Sequence, residues 1–435
     1  MKILKLYALA FFVCLNSLGY SQDEKCATVS SLKHSGQPAS EIAEIERIKQ
    51  IIDQQYYSRD QDNILIIPTV VHMFYYTIES IELELGNISD EQVIDGLRVL
   101  NEDFSRQNAD TTDTNPLFKE YAASIGFEFR LAQIDPNGQP TNGIVRIDTS
   151  MIPDPEPTEP NFNNVKYLSQ WPADKYFNIW IVRSIAGGSL GYAQYPGTDF
   201  TYGGPWETWG PVVINSQWGT IGTSSADGRT ATHEVGHCFG LYHTFLSQTA
   251  SCGAECDTTG DEVCDTPPSL LDFNCAIINS CSNDSLGSSP YPNDVIDQME
   301  NFMSYNSCQN MFTNGQKSRM LGFYNAFDTI VGLSTYSNLI ATGVIPITTT
   351  EETIKSGISL KLYPNPTSEH LTIEILTPFT LGEIYLYDIM GKAVLSKPVT
   401  NKKSELKLDH LASGIYYLSI SLDNESATSK KIIIR

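Results

Sequence analysis

THEVGHCFGLYHTF, residues 232–245, is the stretch on which the reading of this 435-residue chain turns. His233 and His237 stand four apart, so on a helix they project from one face a turn apart, as two ligands of a single metal must. Gly240 then takes a positive φ, ends the helix and brings His243 to the same ion from outside it. Three imidazoles on zinc leave a fourth position for water, the open coordination of a catalytic site. Glu234, beside the first ligand, is placed to take that water's proton. A bare HExxH arises by chance and a surface His pair on a helix is ordinary. Three His, a Glu and a Gly in this array recur by chance only on the order of 10⁻⁵ times per chain.

Outward from this helix, strands and helices mix. ILIIPTVVHMF (64–74) reads as a buried strand, rich in β-branched residues. Ser89 and Gln92 form a capping box that opens a helix on which Val93, Leu97, Leu100 and Phe104 recur at helical spacing. GFEFRLAQI (126–134), FNIWIVR (177–183) and VVIN (212–215) add strands, and a helix is expected near Gly315 to Phe327. The class is α/β or α+β. Residues 336–357 turn rich in Thr and Ser and read as a linker. In 358–435, LTIEI, IYLYDIM, IYYLSISL and KKIIIR are separated by turns, the pattern of a small all-β sandwich.

The chain opens MKILKLYALAFFVCLNSLGYSQ, with Lys2 and Lys5 before an apolar run and small residues after it, as in a secretory signal removed after Ser21 (1–21). Asn16 and Ser17 interrupt the run short of the roughly 20 apolar residues a membrane span needs, so no transmembrane segment is expected. Phe12 and Val13 fit a lipid attachment at Cys14 poorly. Residues 22–60 are polar, with one helical pattern around Ile42, Ile45 and Ile48, and read as a pro-segment. The chain holds 28 basic and 51 acidic residues, a net charge of −23, which repels phosphate backbones and argues against nucleic-acid binding. Cys252, Cys256, Cys264, Cys275, Cys281 and Cys308 crowd one loop-rich stretch. In an exported chain they read as a disulfide framework, with fifteen possible pairings; a thiolate zinc site would need two CxxC knuckles that the spacings lack.

HEVGHCFGLYH, taken with NFMSY at 301–305, resembles the signature and Met-turn of the metzincins. LNEDF (100–104), DPNGQPTNGI (135–144), LGYAQYPG (190–197), GRTATHEVGH (228–237), GDEVCDTP (260–267) and FTNGQKSRM (312–320) extend the likeness to the pappalysin family over roughly residues 60–330. The resemblance implies a metzincin-like catalytic domain (61–335) with a twisted sheet over its active-site helix. It implies Met303 as an apolar floor beneath the zinc ligands and Tyr305 as a hydrogen-bond donor to the transition-state oxyanion. It implies calcium held by Asp261, the carbonyl of Val263 and Thr266, and disulfides joining Cys252 to Cys275 and Cys281 to Cys308, which leaves Cys256 with Cys264. It also implies latency: in related zymogens a leader cysteine ligates the zinc, a part Cys26 is placed to play. Residues 358–435, in LYPNPTSEHLTIEI, IYLYDIMGK, LASGIYYLSI and KKIIIR, resemble a type IX secretion sorting domain. Export through the periplasm to the cell surface or the medium follows, with that machinery as a partner.

Two departures from the family pattern stand out. Cys238 occupies a position usually bulky and apolar, and one step past His237 it points away from the zinc into the core. The loop from Met303 to Cys308 is short and lacks the acidic run of relatives that select basic residues, so that preference is not carried over. Among the other histidines, His72 lies in an apolar strand and reads as core, while His34, His370 and His410 lack ligand-spaced neighbours. GGSLG (187–191) matches a serine nucleophile elbow around Ser189, but YAQYPG after it makes no helix, so it reads as a glycine-rich loop at the substrate cleft. The expected activity is hydrolysis of protein and peptide substrates by a secreted zinc metalloendopeptidase, through a zinc-bound water with Glu234 as general base. A secreted binding or adhesin protein with an inert metal site is the alternative, and a serine hydrolase built on Ser189 ranks third.

Overall fold

The computed structural model describes Cys26, Arg47, Ile48, residues 50–51, 64–81, 83–152, 164–197, 204–223, 226–246, 252, 255–257, 260–345, 360–388, 393–423 and 425–435. The expected signal, and all of the pro-segment beyond five of these residues, lie outside the described residues.

Strand β1 (Leu65–Ile78) is the spine of a seven-stranded sheet, and eight consecutive residues from Ile67 to Phe74 are buried. A strand buried on both faces is continuously apolar rather than alternating, which is why IIPTVVHMF reads as it does. The short β2 (Leu83–Leu85) pairs with it antiparallel. On one side β1 pairs in parallel with β3 (Phe127–Leu131) and β4 (Ile144–Asp148) in succession; on the other it pairs with β5 (Phe177–Val182). Beyond β5 comes β7 (Val212–Ile214), parallel to it, and at the edge β6 (Gly191–Tyr192), antiparallel to β7.

Helix α1 (Asp90–Phe104) buries Val93, Leu97, Leu100 and Phe104 in one core with Ile67, Val71 and Phe129 of the sheet, each such side chain contributing about 1.5–3 kcal/mol. The expected capping box forms by half. Ser89 accepts from the Gln92 backbone N–H at 3.2 Å, but the Gln92 side chain donates instead to the carbonyls of Asn215 and Trp218, the latter buried and in need of a donor. Helix α2 (Arg229–Cys238) carries the decisive motif and adds Val235, Cys238 and Phe239 to the same core. Helix α3 (Asn314–Ala326) starts at a complete capping box of Thr313 and Gln316, followed by α4 (Asp328–Leu333) and α5 (Tyr336–Ala341).

Helix α5 corrects the expected start of the linker at 336. Leu339 and Ile340 are buried, Asn338 donates to the carbonyls of Lys175 and Leu333, and the N–H groups of Gln133 and Ile134 donate to the Thr342 carbonyl. The Thr-rich composition begins only at residue 348; what precedes it has apolar residues to bury.

The C-terminal unit has two antiparallel sheets. One holds β8 (Leu360–Tyr363), β9 (His370–Ile375) and β12 (Lys403–Lys407); the other holds β10 (Gly382–Tyr387), β11 (Ala393–Val399), β13 (Gly414–Leu422) and β14 (Glu425–Ile434). Alternate residues Leu371, Ile373, Ile375 and Ile384, Leu386 face a core with Leu418, Ile420 and Ile432, the inward alternation that two packed sheets require.

Three disulfides cross-link the loops after α2. Cys256 bonds Cys264, as the resemblance leaves them, but Cys252 bonds Cys281 and Cys275 bonds Cys308. The implied pairs Cys252–Cys275 and Cys281–Cys308 are therefore corrected. Cys281 is buried against the Cys252 segment at a Cα–Cα distance of 5.6 Å, whereas Cys275 lies beside Ser307, within reach of Cys308.

Candidate active site

Helix α2 ends as its sequence demands. Gly240 has φ +88°, its N–H donates to the His237 carbonyl, and the Leu241 N–H donates to the Gly236 carbonyl. These two bonds are the Schellman termination, open to glycine because the left-handed region is strained for other residues. The chain then turns back and carries His243 against the helix.

The three imidazoles converge. The Nε2 atoms of His233 and His243 lie 3.0 Å apart, and each is 3.1 Å from Nε2 of His237. His233 Nδ1 donates to the Phe302 carbonyl at 2.8 Å and His237 Nδ1 to the Leu241 carbonyl at 2.7 Å. A proton on Nδ1 leaves Nε2 as a bare lone pair, so acceptors face one another at contact distance. Burial and the neighbouring imidazoles hold His237 and His243 well below the usual imidazole pKa, which keeps them neutral. Neutral imidazole lone pairs aimed at one point are a donor set for a metal ion, and the carbonyls that aim them are backbone atoms that no motif encodes.

Cys26 completes the cluster: its Sγ and one nitrogen of each histidine all lie within 4.8 Å of one another. The thiol donates to Glu234 Oε2 at 3.3 Å, and Glu234 is fully buried beside the histidines. The Cys26 backbone forms a parallel bridge to Gly191 on the sheet edge. Gly191 is required there, because a Cβ would stand 2.8 Å from Glu234 Cγ and 2.9 Å from its Oε1. The GGSLG loop therefore leads into an edge strand, not a helix, and Leu190 from it lines the cleft. A cavity of about 170 Å³ opens beside Glu234, lined also by Cys26, Thr230, Tyr305, Asn306 and Gln309.

Met303 is fully buried and packs on the helix so closely that a Cβ at Gly236 would meet its Sδ at 2.5 Å. Asn301 holds the turn, its Oδ1 accepting from the Met303 N–H at 2.9 Å. The Tyr305 ring stands 4.9 Å from that of His243, and its hydroxyl donates to the Cys26 carbonyl at 3.1 Å. The orientation of α2 depends on residues that the sequence did not single out. Arg229 forks onto both oxygens of Asp110 at 2.9 Å, and Thr232 donates to Asp103 at 2.7 Å, tying the first turn of α2 to the end of α1.

Cys238 is buried facing the core, and burial pushes its thiol pKa far up, so it stays protonated. Behind it Lys166, also fully buried, donates to the carbonyls of Thr208 and Gly210; nothing in its sequence context signals this. His72 is a core residue, stacked on Trp180 and bonded to Asn178 at 2.8 Å.

At the expected calcium position, Asp261 is buried, and burial pushes its carboxyl pKa up to about 7. Thr266 Oγ1 lies 2.5 Å from both Asp261 Oδ1 and the Val263 carbonyl. One hydroxyl hydrogen serves only one of these acceptors, and the three expected oxygen donors stand together.

The chain is similar to known proteins in two separate regions. Residues 162–325 match the family described as Pregnancy-associated plasma protein-A, and residues 361–435 match the secretion system C-terminal sorting domain. An extracellular metalloprotease of Colletotrichum graminicola is 29% identical over 263 residues, covering 60% of this chain and 77% of that protein. Mature mirolysin of Tannerella forsythia, solved with a cleaved peptide, is 33% identical with a TM-score of 0.52, covering 63% of this chain and 97% of that one. A mutant of promirolysin from the same organism is 29% identical with a TM-score of 0.54, covering 72% and 98%.

Proposed function

The chain belongs to the pappalysin family of metallopeptidases and is secreted, and from that premise we propose that it is a zinc-dependent endopeptidase with His233, His237 and His243 as ligands and Glu234 as general base. The observation that carries this reading is the convergence of three Nε2 atoms within 3.1 Å beside a buried carboxylate. Nitrogens on a tetrahedral zinc lie about 3.3 Å apart, so the donor set needs little movement. Zinc held there supplies Lewis-acid chemistry, polarising the scissile carbonyl and acidifying water. Glu234 takes the proton of the attacking water and returns it to the leaving amine. Tyr305 donates to the oxygen on which charge develops; its bond to the Cys26 carbonyl supports this, a backbone carbonyl standing in for that of a substrate. Met303 packs beneath α2 and keeps water out from below.

The same contacts support latency. The Cys26 thiol lies where a fourth ligand belongs, and its bond to Glu234 engages the base. A second anchor lies further along the leader, where Ile48 is buried against Tyr195, Tyr242 and Phe323 and Arg47 donates to the Ala326 carbonyl. The organisation we propose is a signal (1–21), a pro-segment (22–60), a catalytic unit extending to residue 345, a shorter linker, and a sorting domain (358–435) read by type IX machinery. Calcium held by Asp261, the Val263 carbonyl and Thr266 steadies the loop before α3.

The deciding experiment digests a denatured protein mixture with the leader-free chain and its Glu234→Ala variant and maps new termini by mass spectrometry. New termini from the parent alone, abolished by a zinc chelator, are expected. Equal maps from both chains would move the reading to an inert binding protein, and chelator-resistant cleavage would exclude zinc.

A further inference from the structure

Between His243 and Lys317 the sequence holds ten Asp and Glu and no Lys, Arg or His. Several of these carboxylates are met from elsewhere: Glu262 by Arg319, Asp265 by Thr313 and the Gly315 N–H, and both oxygens of Asp297 by Ser280. Asp284 is different. It is only 1% exposed; its Oδ2 accepts from the Val295 N–H at 2.8 Å, while its Oδ1 is buried with no hydrogen-bond partner. The Asp294 carboxylate lies within hydrogen-bonding reach of it and the Asp297 charge acts on it too, and Asp294 Oδ2 accepts from Asn279 at 3.0 Å. Among the described residues no basic side chain pairs with Asp284, Asp294 or Asp297.

A buried carboxylate oxygen without a donor is unfavourable, and a second carboxylate facing it makes it more so. Two species relieve both at once, a shared proton or a cation. Burial and the Asp294 charge raise the Asp284 pKa, as they must when neither is present. Two carboxylates reached from solvent through exposed Asp294, in a loop without regular secondary structure, offer hard oxygen donors in an irregular geometry that suits calcium better than the octahedral magnesium ion.

We propose that the loop from Asn279 to Asp297 binds a calcium ion between Asp284 and Asp294, at a site separate from that of Asp261. The ion stiffens the loop that delivers the Met-turn. The Cys252–Cys281 disulfide fixes one end of this loop. At the other end the Asp297 N–H donates to the Ile278 carbonyl, four residues before Asn301.

The test uses the full chain carrying Glu234→Ala, so that self-cleavage plays no part. Bound calcium is counted by elemental analysis after dialysis at neutral pH with calcium present, together with the melting temperature with and without calcium. Asp284→Asn and Asp294→Asn should each hold one calcium fewer than the parent and lose part of the calcium-induced rise in melting temperature, while Asp261→Asn keeps this ion. Asp294 is exposed, so Asp294→Asn tests the site even if Asp284→Asn fails to fold. Calcium content unchanged in Asp294→Asn overturns the proposal. So does a parent whose only calcium disappears with Asp261→Asn; the two carboxyls then share a proton.

Discussion

Gly191→Ala tests the assembly of the site without touching a ligand. The added methyl would stand 2.8 Å from Glu234 Cγ and 2.9 Å from Oε1, against an ordinary carbon contact of about 3.5–4 Å. Strand β6 is held to β7 by the pairs Gly191–Val213 and Tyr192–Val212, so the carboxylate is the softer partner and must retreat by roughly 1 Å. Overpacking of this kind costs about 1–3 kcal/mol of stability, and a 1 Å misplacement of a reacting group costs up to about 10²-fold in rate, near 2.7 kcal/mol in the barrier. The leader-free variant, assayed on a quenched peptide, should show kcat/KM lowered by about 10²-fold, with zinc content unchanged and a slightly lower Tm. A kcat/KM within about threefold of the parent would show that the edge strand does not constrain the base.

Cys26→Ala should convert the leader-bearing chain from latent to active, whereas after removal of the leader the two chains should be equal; a variant precursor as quiet as the parent would leave latency to the Ile48 anchor alone. Burial pushes Asp103 up from 3.8 to about 6, so the folded chain binds that proton more tightly than the unfolded one. Its contribution to stability is greatest below about pH 4 and falls, by up to roughly 3 kcal/mol, as pH rises to about 6. Asp103→Asn should flatten that slope in urea titrations, and an unchanged slope would assign it to other groups. Non-reducing peptide maps should recover Cys252 with Cys281 and Cys275 with Cys308. The short Cys256–Cys264 loop should contribute about 2.5 kcal/mol and each of the longer two about 3.6 kcal/mol, on chain-entropy grounds, an order that denaturation of the Cys→Ser pairs would check.

Much of the site was legible because its chemistry is written at short range. His233 and His237 share a helical face by periodicity alone, Gly240 announces the turn, and the run from Ile66 to Phe74, apolar but for Thr69 and His72, does not alternate, as in a strand covered on both faces. Met303 and Tyr305 were found through likeness to a family, since an isolated Met carries no signal of its own. The disulfide pairing differs from the implied one at four of six cysteines, because which sulfurs meet is decided by how the loops after α2 cross, and spacing along the chain does not encode that crossing. Residue 336 does not begin the linker, because Leu339 and Ile340 find a surface to cover that composition does not reveal.

The sequence by itself determined the candidate metal-ligand set, the carboxylate beside it, the class of each long element and the division into a catalytic and a sorting unit, all of them properties of residues close together along the chain. Only the tertiary structure decided what aims and guards that set. The Phe302 and Leu241 carbonyls orient the imidazoles, Gly191 makes room for Glu234 across the sheet edge, Arg229 and Thr232 tie α2 to Asp103 and Asp110, and the Cys26 thiol lies at the cluster. Most of these contacts join segments far apart in the chain, several are made by backbone atoms common to every residue, and they exist only once the hydrophobic core has brought those segments together.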